Sequence, residues 1–384
     1  MNNKPRYTEG TTRYQIVNLM HISGVTTPRA LSLFDNPSIP NVMVKLRKEG
    51  VVEKSHNEEV FENLNLQTYN DNLEEFFYDN IPDDNIEFFS KYGENDIKRA
   101  KYNKGKLIGN SRRIIRNGEA IAMMCASGIP TLPDEKKYVV KDKTLTDNVY
   151  YQSREIKRYT GYADDVESES DEERTVIATR INGALLSAGG NYNIYHLGKD
   201  ITTWSTQGEY KFKNFLQNML TNYINKTSCM VDNALLYVYD LMTFLKVVNP
   251  SKNVQSRYDA LNMTYDNLYV LPFDKNGRDM TKIMVESDWQ IRMYEMIMEE
   301  KYEDTSRLDF VCDYYDGEVY TFIFCVPNLS RYLDFVRKVK FVNDKDKFRV
   351  VCFDYQVDFV TASVGKYAKV LKADFKDFVD DWFR

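Results

Sequence analysis

The chain has 384 residues, 43% of them hydrophobic, and is long enough for two or three domains of roughly 100–200 residues each. The net charge of −6 argues against a general coat for nucleic acid. No apolar run approaches the roughly 20 residues that a membrane helix requires, and the first residues lack the apolar stretch of a signal peptide. We therefore expect a cytoplasmic protein with no membrane partner.

The number and spacing of the cysteines argue against both a disulfide framework and a zinc site. Their number is odd, they are widely spaced, and no two of them form a C-x-x-C pair. This pattern favours reduced, buried thiols over a disulfide framework or a zinc site. The cysteines are Cys125, Cys229, Cys312, Cys325 and Cys352.

Positive charge is concentrated in two segments of the chain. Residues 1–56 contain eight Lys/Arg and four Asp/Glu, a net charge of +4, so the other 328 residues carry −10. Segregated positive charge is what a local phosphate-binding surface requires. A second basic surface is expected from eight side chains: Lys98, Arg99, Lys101, Lys104, Lys106, Arg112, Arg113 and Arg116. The alternative is a solvated face that pairs with the acidic residues of 57–90.

Residues 1–62 predict three short helices followed by a β-hairpin. "TTRYQIVNLMHIS" begins with threonines that can cap a helix, and "TTPRALSLF" begins with a capping threonine and Pro28 in its first turn. "PSIPNVMVKLRKEGVV" predicts a third helix that ends at Gly50. "VVEKSH" and "EVFENL" predict two short strands. This order is typical of a winged helix-turn-helix DNA-binding domain.

The sequence after residue 62 predicts an acidic connector at 63–97 and a larger mixed α/β (α+β) body at 98–384. One alternative divides this body near 226–250. Helices are predicted at 111–128, 208–224, 329–340 and 373–383. Strands are predicted at 149–159, 234–240 and 347–355. Strand pairs are predicted at 175–198, around Gly189 and Gly190, and at 308–326, around an Asp-Gly turn. Alternating strands and helices favour the mixed class.

The third predicted helix has the residue pattern of a helix that reads DNA. Ile39, Val42 and Leu46 are expected to face the core. The other side then presents short polar residues early, where a helix N-terminus meets base edges, and basic residues late, where phosphate lies. The expected DNA-contacting residues are Ser38, Asn41, Lys45 and Lys48, with backbone contacts added by Arg29 and Lys54. A domain used for protein contact or dimerisation is the alternative interpretation.

Motifs for catalysis are sparse. The chain lacks a P-loop and a G-x-G-x-x-G sequence, and its three histidines are far apart in sequence, unlike the paired ligands of one common relaxase design. A tyrosine nucleophile stays open because none of the 28 tyrosines is distinguished by its sequence context. One nuclease alternative uses Glu155 and Lys157 on a strand, with Asp147 as a second Mg²⁺ ligand. Ordinary strand salt bridging is the other interpretation of this triplet.

Residues 11–52 resemble the N-terminal winged helix of the replication–relaxation family, proteins of bacterial plasmids and integrative conjugative elements. "RYQIVNLMHISGVTTPRALSLF" followed by "VMVKLRKEGVV" carries the resemblance. "SRRIIRNGEAIAMMCASGI" and "TRINGALLSAGGNYNIYHLG" look like segments of related proteins from Gram-positive mobile elements. The resemblance implies origin binding, with a role in plasmid replication initiation or in relaxation for transfer. It implies no catalytic residue.

We therefore expect a sequence-specific DNA-binding protein of a plasmid or conjugative element, a replication initiator that binds origin repeats. One alternative is a metal-dependent DNA nickase or relaxase-like enzyme, and another is a transcriptional or accessory regulator of element maintenance or transfer. No cofactor is expected, and Mg²⁺ only under the nickase alternative. Expected partners are double-stranded DNA, a second copy in a homodimer, and host replication or element-encoded transfer proteins.

Overall fold

The computed structural model divides into two compact units, Met1–Gln152 and Ser153–Arg384. Both units contain helices and β-sheet, so the mixed α/β class that was predicted for the chain is confirmed. Among the described residues, no helix is both long enough and apolar enough to cross a membrane. The structure describes residues 10–23, 25–49, 52–54, 61–62, 102–103, 106–107, 111–131, 148–153, 180–199, 206–223, 230–248, 261–302, 305, 308 and 310–384.

The first unit begins with helices and a small antiparallel sheet. Its first elements are α1 (Thr12–Ser23), β1 (Val25–Thr26), α2 (Pro28–Leu31), α3 (Ile39–Lys48), β2 (Glu53–Lys54) and β3 (Phe61–Glu62). The three strands lie in the order β1-β3-β2. Thr11 caps α1 by accepting a hydrogen bond from the Tyr14 amide, and Thr27 caps α2 by accepting one from the Ala30 amide. The capping threonines therefore lie where the sequence predicts them.

A longer helix, α4 (Ser111–Ala126), packs against α1, α2 and β1. Gly118 permits this approach, because a Cβ atom at this position would lie 2.6 Å from the carbonyl oxygen of Val25. The buried carboxylate of Glu119 accepts a 2.7 Å hydrogen bond from the Thr27 hydroxyl, the group that also caps α2. The helix α4 is therefore part of the core of the first unit.

The position of α4 explains the unusual burial of α1. Because α3 and α4 both pack against α1, apolar side chains are buried around most of its circumference. These side chains are Tyr14, Ile16, Val17, Leu19, Met20 and Ile22. Local periodicity could not predict this contact, because α1 and α4 are about 100 residues apart in sequence.

The first unit also contains β4 (Tyr102–Asn103), β5 (Lys106–Leu107) and β6 (Val149–Gln152), of which β4 and β5 pair antiparallel. The contacts divide the chain at residue 152, whereas the sequence predicts boundaries at 62 and 98. The difference arises because α4 follows the predicted connector in sequence and packs on α1 and β1 in space. The connector at 63–97 lies outside the described residues, and the division near 226–250 stays a prediction.

The second unit begins with parallel strands extended by one hairpin. Its first elements are β7 (Gly183–Ser187), β8 (Gly190–Gly198), α5 (Thr206–Tyr223), β9 (Asn233–Val238), α6 (Leu245–Val248), β10 (Asn267–Pro272), α7 (Lys275–Met284) and α8 (Trp289–Met298). Within the unit the strand order is β10-β9-β8-β7, with β7 and β8 antiparallel and the other pairs parallel. Buried side chains fill most of β9 and β10, as expected for strands covered on both faces.

A further sheet completes the second unit. Its elements are β11 (Tyr314–Tyr315), β12 (Tyr320–Ile323), α9 (Leu329–Val342), β13 (Phe348–Phe353), α10 (Val357–Val364), β14 (Lys369–Ala373) and α11 (Phe375–Trp382). The strand order is β11-β12-β13-β14, with the last three strands parallel. The predicted Asp-Gly turn joins the antiparallel strands β11 and β12, and Gly317 has a φ of +95°.

Asparagine side chains connect neighbouring strands near the N-terminal ends of β9 and β10. The Asn328 amide donates to Asn267 Oδ1 at 2.8 Å, and the Asn267 amide donates to Asn233 Oδ1 at 3.0 Å. The Asn233 amide donates in turn to the Asn191 carbonyl oxygen at 3.3 Å. Each asparagine NH2 group in this series donates a hydrogen bond to an oxygen atom of the next asparagine. Their partial burial therefore costs little free energy.

An ion pair between a buried carboxylate and a partly exposed guanidinium connects the loop before β11 to α9. The Asp313 carboxylate lies 2.6 Å from an Arg331 guanidinium nitrogen and also accepts a 2.7 Å hydrogen bond from the Ile323 amide. Arg331 donates to the Tyr294 hydroxyl at 2.9 Å. Burial raises the pKa of the Asp313 carboxyl above its ordinary value, and the nearby guanidinium opposes this rise. The pair is thus a structural element of the second unit.

Candidate nucleic-acid interface

The helix α3 has one buried face and one exposed face. Ile39, Met43 and Leu46 are buried, at the i, i+4, i+7 spacing of an amphipathic helix. Val42, which the sequence also predicts to face the core, is partly buried. The side opposite Ile39 and Leu46 carries four exposed residues at i, i+3, i+4, i+7 spacing, which we call the outer stripe: Asn41, Val44, Lys45 and Lys48.

The buried face of α3 belongs to a core that fixes the helix against α1. The members of this core are Tyr14, Ile16, Val17, Met20, Leu31, Ile39, Met43, Leu46 and Val52. Polar contacts hold both ends of α3 as well. Asn36 donates to the Thr12 hydroxyl at 2.8 Å in the turn before the helix, and Arg13 forms an ion pair with Glu49 just after it. The outer stripe is therefore presented by a helix anchored at both ends.

Ser38 directly precedes α3 and is exposed, and its hydroxyl group forms a hydrogen bond within the preceding turn. It donates a 2.7 Å hydrogen bond to Asn36 Oδ1, which also accepts from the Ser38 amide at 2.9 Å. Asp35 adopts a left-handed conformation with φ of +44° in the turn before it, as short polar residues tolerate. A serine engaged in this turn is a weaker candidate for a base contact than Asn41.

The last turn of α3 concentrates positive charge. Lys45, Arg47 and Lys48 are all exposed, and within the described part of the chain none of them has an ion-pair partner. Cations at a helix C-terminus are favoured by the helix dipole, which offsets part of their mutual repulsion. The three charges are thus presented to solvent, where a phosphate could neutralise them.

The other predicted contact residues are described to different extents. Arg29 is exposed on α2, and Lys54 lies in β2. In the second basic surface, Arg113 is exposed at the start of α4, Arg116 is partly buried one turn later, Lys106 lies in β5 and Arg112 in α4. Four of its residues lie outside the described residues: Lys98, Arg99, Lys101 and Lys104. The described members share the first unit with α3.

The residues of the nuclease alternative, Asp147, Glu155 and Lys157, lie outside the described residues, so this alternative stays a prediction. Across the part of the chain that the structure describes, no group of three or more His, Cys, Asp or Glu side chains is placed to hold a metal ion.

Buried tyrosines of the second unit are poor candidates for a nucleophile. Burial raises the pKa of the Tyr269 hydroxyl to about 12 and holds those of Tyr195 and Tyr265 well above the usual range. The Tyr195 hydroxyl is hydrogen-bonded to Tyr265 at 2.9 Å and to the buried Glu209 carboxylate at 2.8 Å. These protonated, inaccessible hydroxyls serve the core and are not positioned to attack a phosphate.

Two residues of α3 were missed by the sequence prediction. Arg47 is exposed beside the outer stripe, and Val44 lies in the middle of that stripe with 47% of its surface exposed. Helical spacing alone would have placed Val44 on the exposed face, because residues 41, 44, 45 and 48 share one face of a helix whose opposite face carries 39, 43 and 46. The sequence prediction considered only polar and basic residues as DNA contacts, so it left out the apolar Val44.

Comparison of the chain with protein-family models, with curated proteins and with solved structures finds no match in any of the three.

Proposed function

We propose that this protein is a sequence-specific DNA-binding protein of a plasmid or conjugative element, a replication initiator that binds origin repeats. In this proposal α1, α2, α3 and the strands β1–β3 form a winged helix-turn-helix, and α3 is the recognition helix. The observation that carries the proposal is the outer stripe of α3, polar at Asn41 and basic at Lys45 and Lys48, opposite a fully buried face. Such a helix fits the major groove and neutralises phosphates at its rim.

The surroundings of α3 support the same use. The helices are followed in the chain by the antiparallel pair β2 and β3, and β1 pairs with β3. This is the arrangement that a winged domain requires. The positive charge of residues 1–56 contrasts with the acidic remainder, which directs an anionic partner to this part of the chain. The exposed Arg113 of α4 adds a cation in the same compact unit.

The direct test is a selection of duplexes from a random-sequence pool by the full-length protein, followed by affinity measurement on the enriched duplex. Replacement of Lys45, Arg47 and Lys48 by Glu should weaken binding by more than about tenfold, because three favourable phosphate contacts become repulsive. A matched control replaces three exposed lysines of the second unit, Lys369, Lys372 and Lys376, by Glu and should bind as the unaltered protein does. An equal loss of affinity in both variants would contradict the assignment of α3 as the recognition helix.

Two further experiments separate the alternatives. Nicking of supercoiled origin DNA in the presence of Mg²⁺, abolished by Glu155→Ala, would establish the nickase. Unchanged plasmid maintenance after deletion of the gene would instead favour a transcriptional or accessory regulator. Loss of maintenance without any nicking activity is the outcome expected for an initiator.

A further inference from the structure

Val44 stands out on an otherwise polar and basic surface. Among the described residues of the first unit it is the only large hydrophobic side chain that is exposed, at 47%. It lies one turn after Asn41 and directly before Lys45, so the outer stripe contains one amide, one pair of methyl groups and two ammonium groups. Single exposed apolar side chains are common on protein surfaces, and what distinguishes Val44 is its place within the outer stripe, between Asn41 and Lys45.

The charge around Val44 determines what can cover it. Lys45, Arg47 and Lys48 surround its C-terminal side, and the described residues supply no ion-pair partner for them. An apolar protein surface placed on Val44 would have to desolvate these cations, whereas the major groove offers phosphates for the cations and an apolar group for the valine. That apolar group is the C5-methyl of thymine, the one methyl group displayed by DNA bases in the major groove.

We infer that Val44 is a specificity-determining residue that contacts the C5-methyl group of a thymine in the recognised duplex. This inference rests on the proposed function and deepens it by naming a feature of the target. Asn41, one turn earlier on the same stripe, has the amide that pairs bidentately with adenine. The recognised sequence therefore contains at least one A·T pair that is read through its methyl group by Val44.

The test uses the full-length protein and a duplex enriched from a random-sequence pool, in which each thymine is replaced in turn by deoxyuridine. Deoxyuridine retains base pairing and removes only the methyl group. At the contacted position it should weaken binding by about fourfold, the equivalent of one methyl or methylene group withdrawn from an apolar contact. Val44→Ala should weaken binding to the thymine duplex by a similar factor and should then be indifferent to deoxyuridine at that position.

The matched control is Val342→Ala, which shortens a valine of similar exposure, 45%, in the second unit. This variant should keep both the affinity and the deoxyuridine effect. A duplex whose affinity is unchanged by deoxyuridine at every position, or a Val44→Ala variant that retains the full effect, overturns the inference while leaving the proposed function intact. If no duplex is enriched, the proposed function fails and the inference fails with it.

A second measurement addresses the rival occupant, another copy of this chain. Sedimentation of the free protein should give the same association state for Val44→Ala as for the unaltered protein. A shift toward a lower association state in the variant would place Val44 in a contact between copies and overturn the inference.

Discussion

Asn41 and Lys45 lie one turn apart on the outer stripe of α3, yet their chemistry suits them to different tasks in the proposed complex with DNA. The carboxamide of Asn41 has a donor and an acceptor in fixed geometry, which can match one base edge and reject another. The Lys45 ammonium is a mobile point charge that is satisfied by any phosphate. In the proposed complex, sequence choice and overall affinity would therefore depend on different residues of one helix.

Asn41→Ala should reduce the discrimination between the recognised duplex and its single-base variants more than it reduces the overall affinity for DNA. Loss of a bidentate base contact costs about 1–3 kcal/mol of preference for the right base, roughly five- to 150-fold in relative affinity. Affinity for unrelated duplex DNA should change little, because the phosphate contacts remain. The measurement is competition between the enriched duplex and single-base variants of it. An Asn41→Ala protein whose affinity falls equally for all duplexes would contradict this role.

At the scale of secondary structure, local sequence signals predicted much of the fold. Capping threonines, Pro28 and the Asp-Gly turn act through neighbouring residues, so α1, α2 and the β11–β12 hairpin are found close to where they were predicted. The helices predicted at 111–128, 208–224, 329–340 and 373–383 are confirmed within a few residues as α4, α5, α9 and α11. Each of these has a strong local periodicity, which does not depend on the partner it packs against.

The elements that were missed depend on partners distant in sequence. The sequence pattern did not predict β10 or α7, and β10 is held in its sheet by pairing with β9, where Asn267 lies opposite Asn233, 34 residues earlier. The packing of α4 on α1 was missed for the same reason. On α3 the spacing of Ile39 and Leu46 predicted the exposed face, but Val44 was left out because only the polar and basic residues of that face were considered as contacts.

Gly118→Ala should destabilise the contact between α4 and β1. Alanine in a helix is favoured over glycine by about 1 kcal/mol. The new Cβ atom would meet the Val25 carbonyl oxygen at 2.6 Å, and such overpacking typically costs about 1–3 kcal/mol, so the net effect should be destabilising. Hydrogen exchange of the α1 and α4 amides in the full chain should accelerate several-fold. Arg113→Ala, an exposed change on the same helix, should leave exchange unaltered, and equal protection in both variants would contradict the close approach.

The Asp313–Arg331 pair gives a prediction about pH. Arg331→Met leaves the Asp313 carboxylate buried without its cation and should destabilise the second unit by about 2 kcal/mol at pH 7.5, a value reduced from that of a fully buried pair because Arg331 is partly exposed. Burial raises the folded-state pKa of Asp313, and loss of the guanidinium raises it further. A carboxyl with a raised pKa contributes stability at low pH and loses it as pH rises through the folded-state pKa.

The destabilisation by Arg331→Met should therefore shrink between pH 7.5 and pH 5, where more of the Asp313 carboxyl can be protonated. Urea unfolding followed by tryptophan fluorescence measures this, since Trp289 and Trp382 are buried in the second unit. The control is Arg337→Met on the same helix, which removes an exposed pair with Asp334 and should cost less than about 0.5 kcal/mol at either pH. A destabilisation by Arg331→Met that is independent of pH would indicate lost packing, not an uncompensated charge.

At the scale of the whole molecule, net charge and local charge make opposite predictions about DNA. A chain of net charge −6 should be repelled by DNA on average, whereas residues 1–56 carry +4 and present three unpartnered cations on the described surface of α3. Counterion release depends on the phosphates that are contacted, not on the charge of the remainder. The acidic remainder should instead suppress binding in other orientations, so that DNA meets the first unit.

The salt dependence of binding decides between these two predictions. If Lys45, Arg47 and Lys48 each contact one phosphate, log affinity against log salt concentration should have a slope of about −2.7 or steeper, at about −0.9 per phosphate. Lys45→Ala should make that slope less steep by roughly one unit. Lys376→Ala, an exposed lysine on α11, should leave it unchanged. A slope near zero, or the same loss from both lysines, would mean that charge on α3 does not hold the DNA.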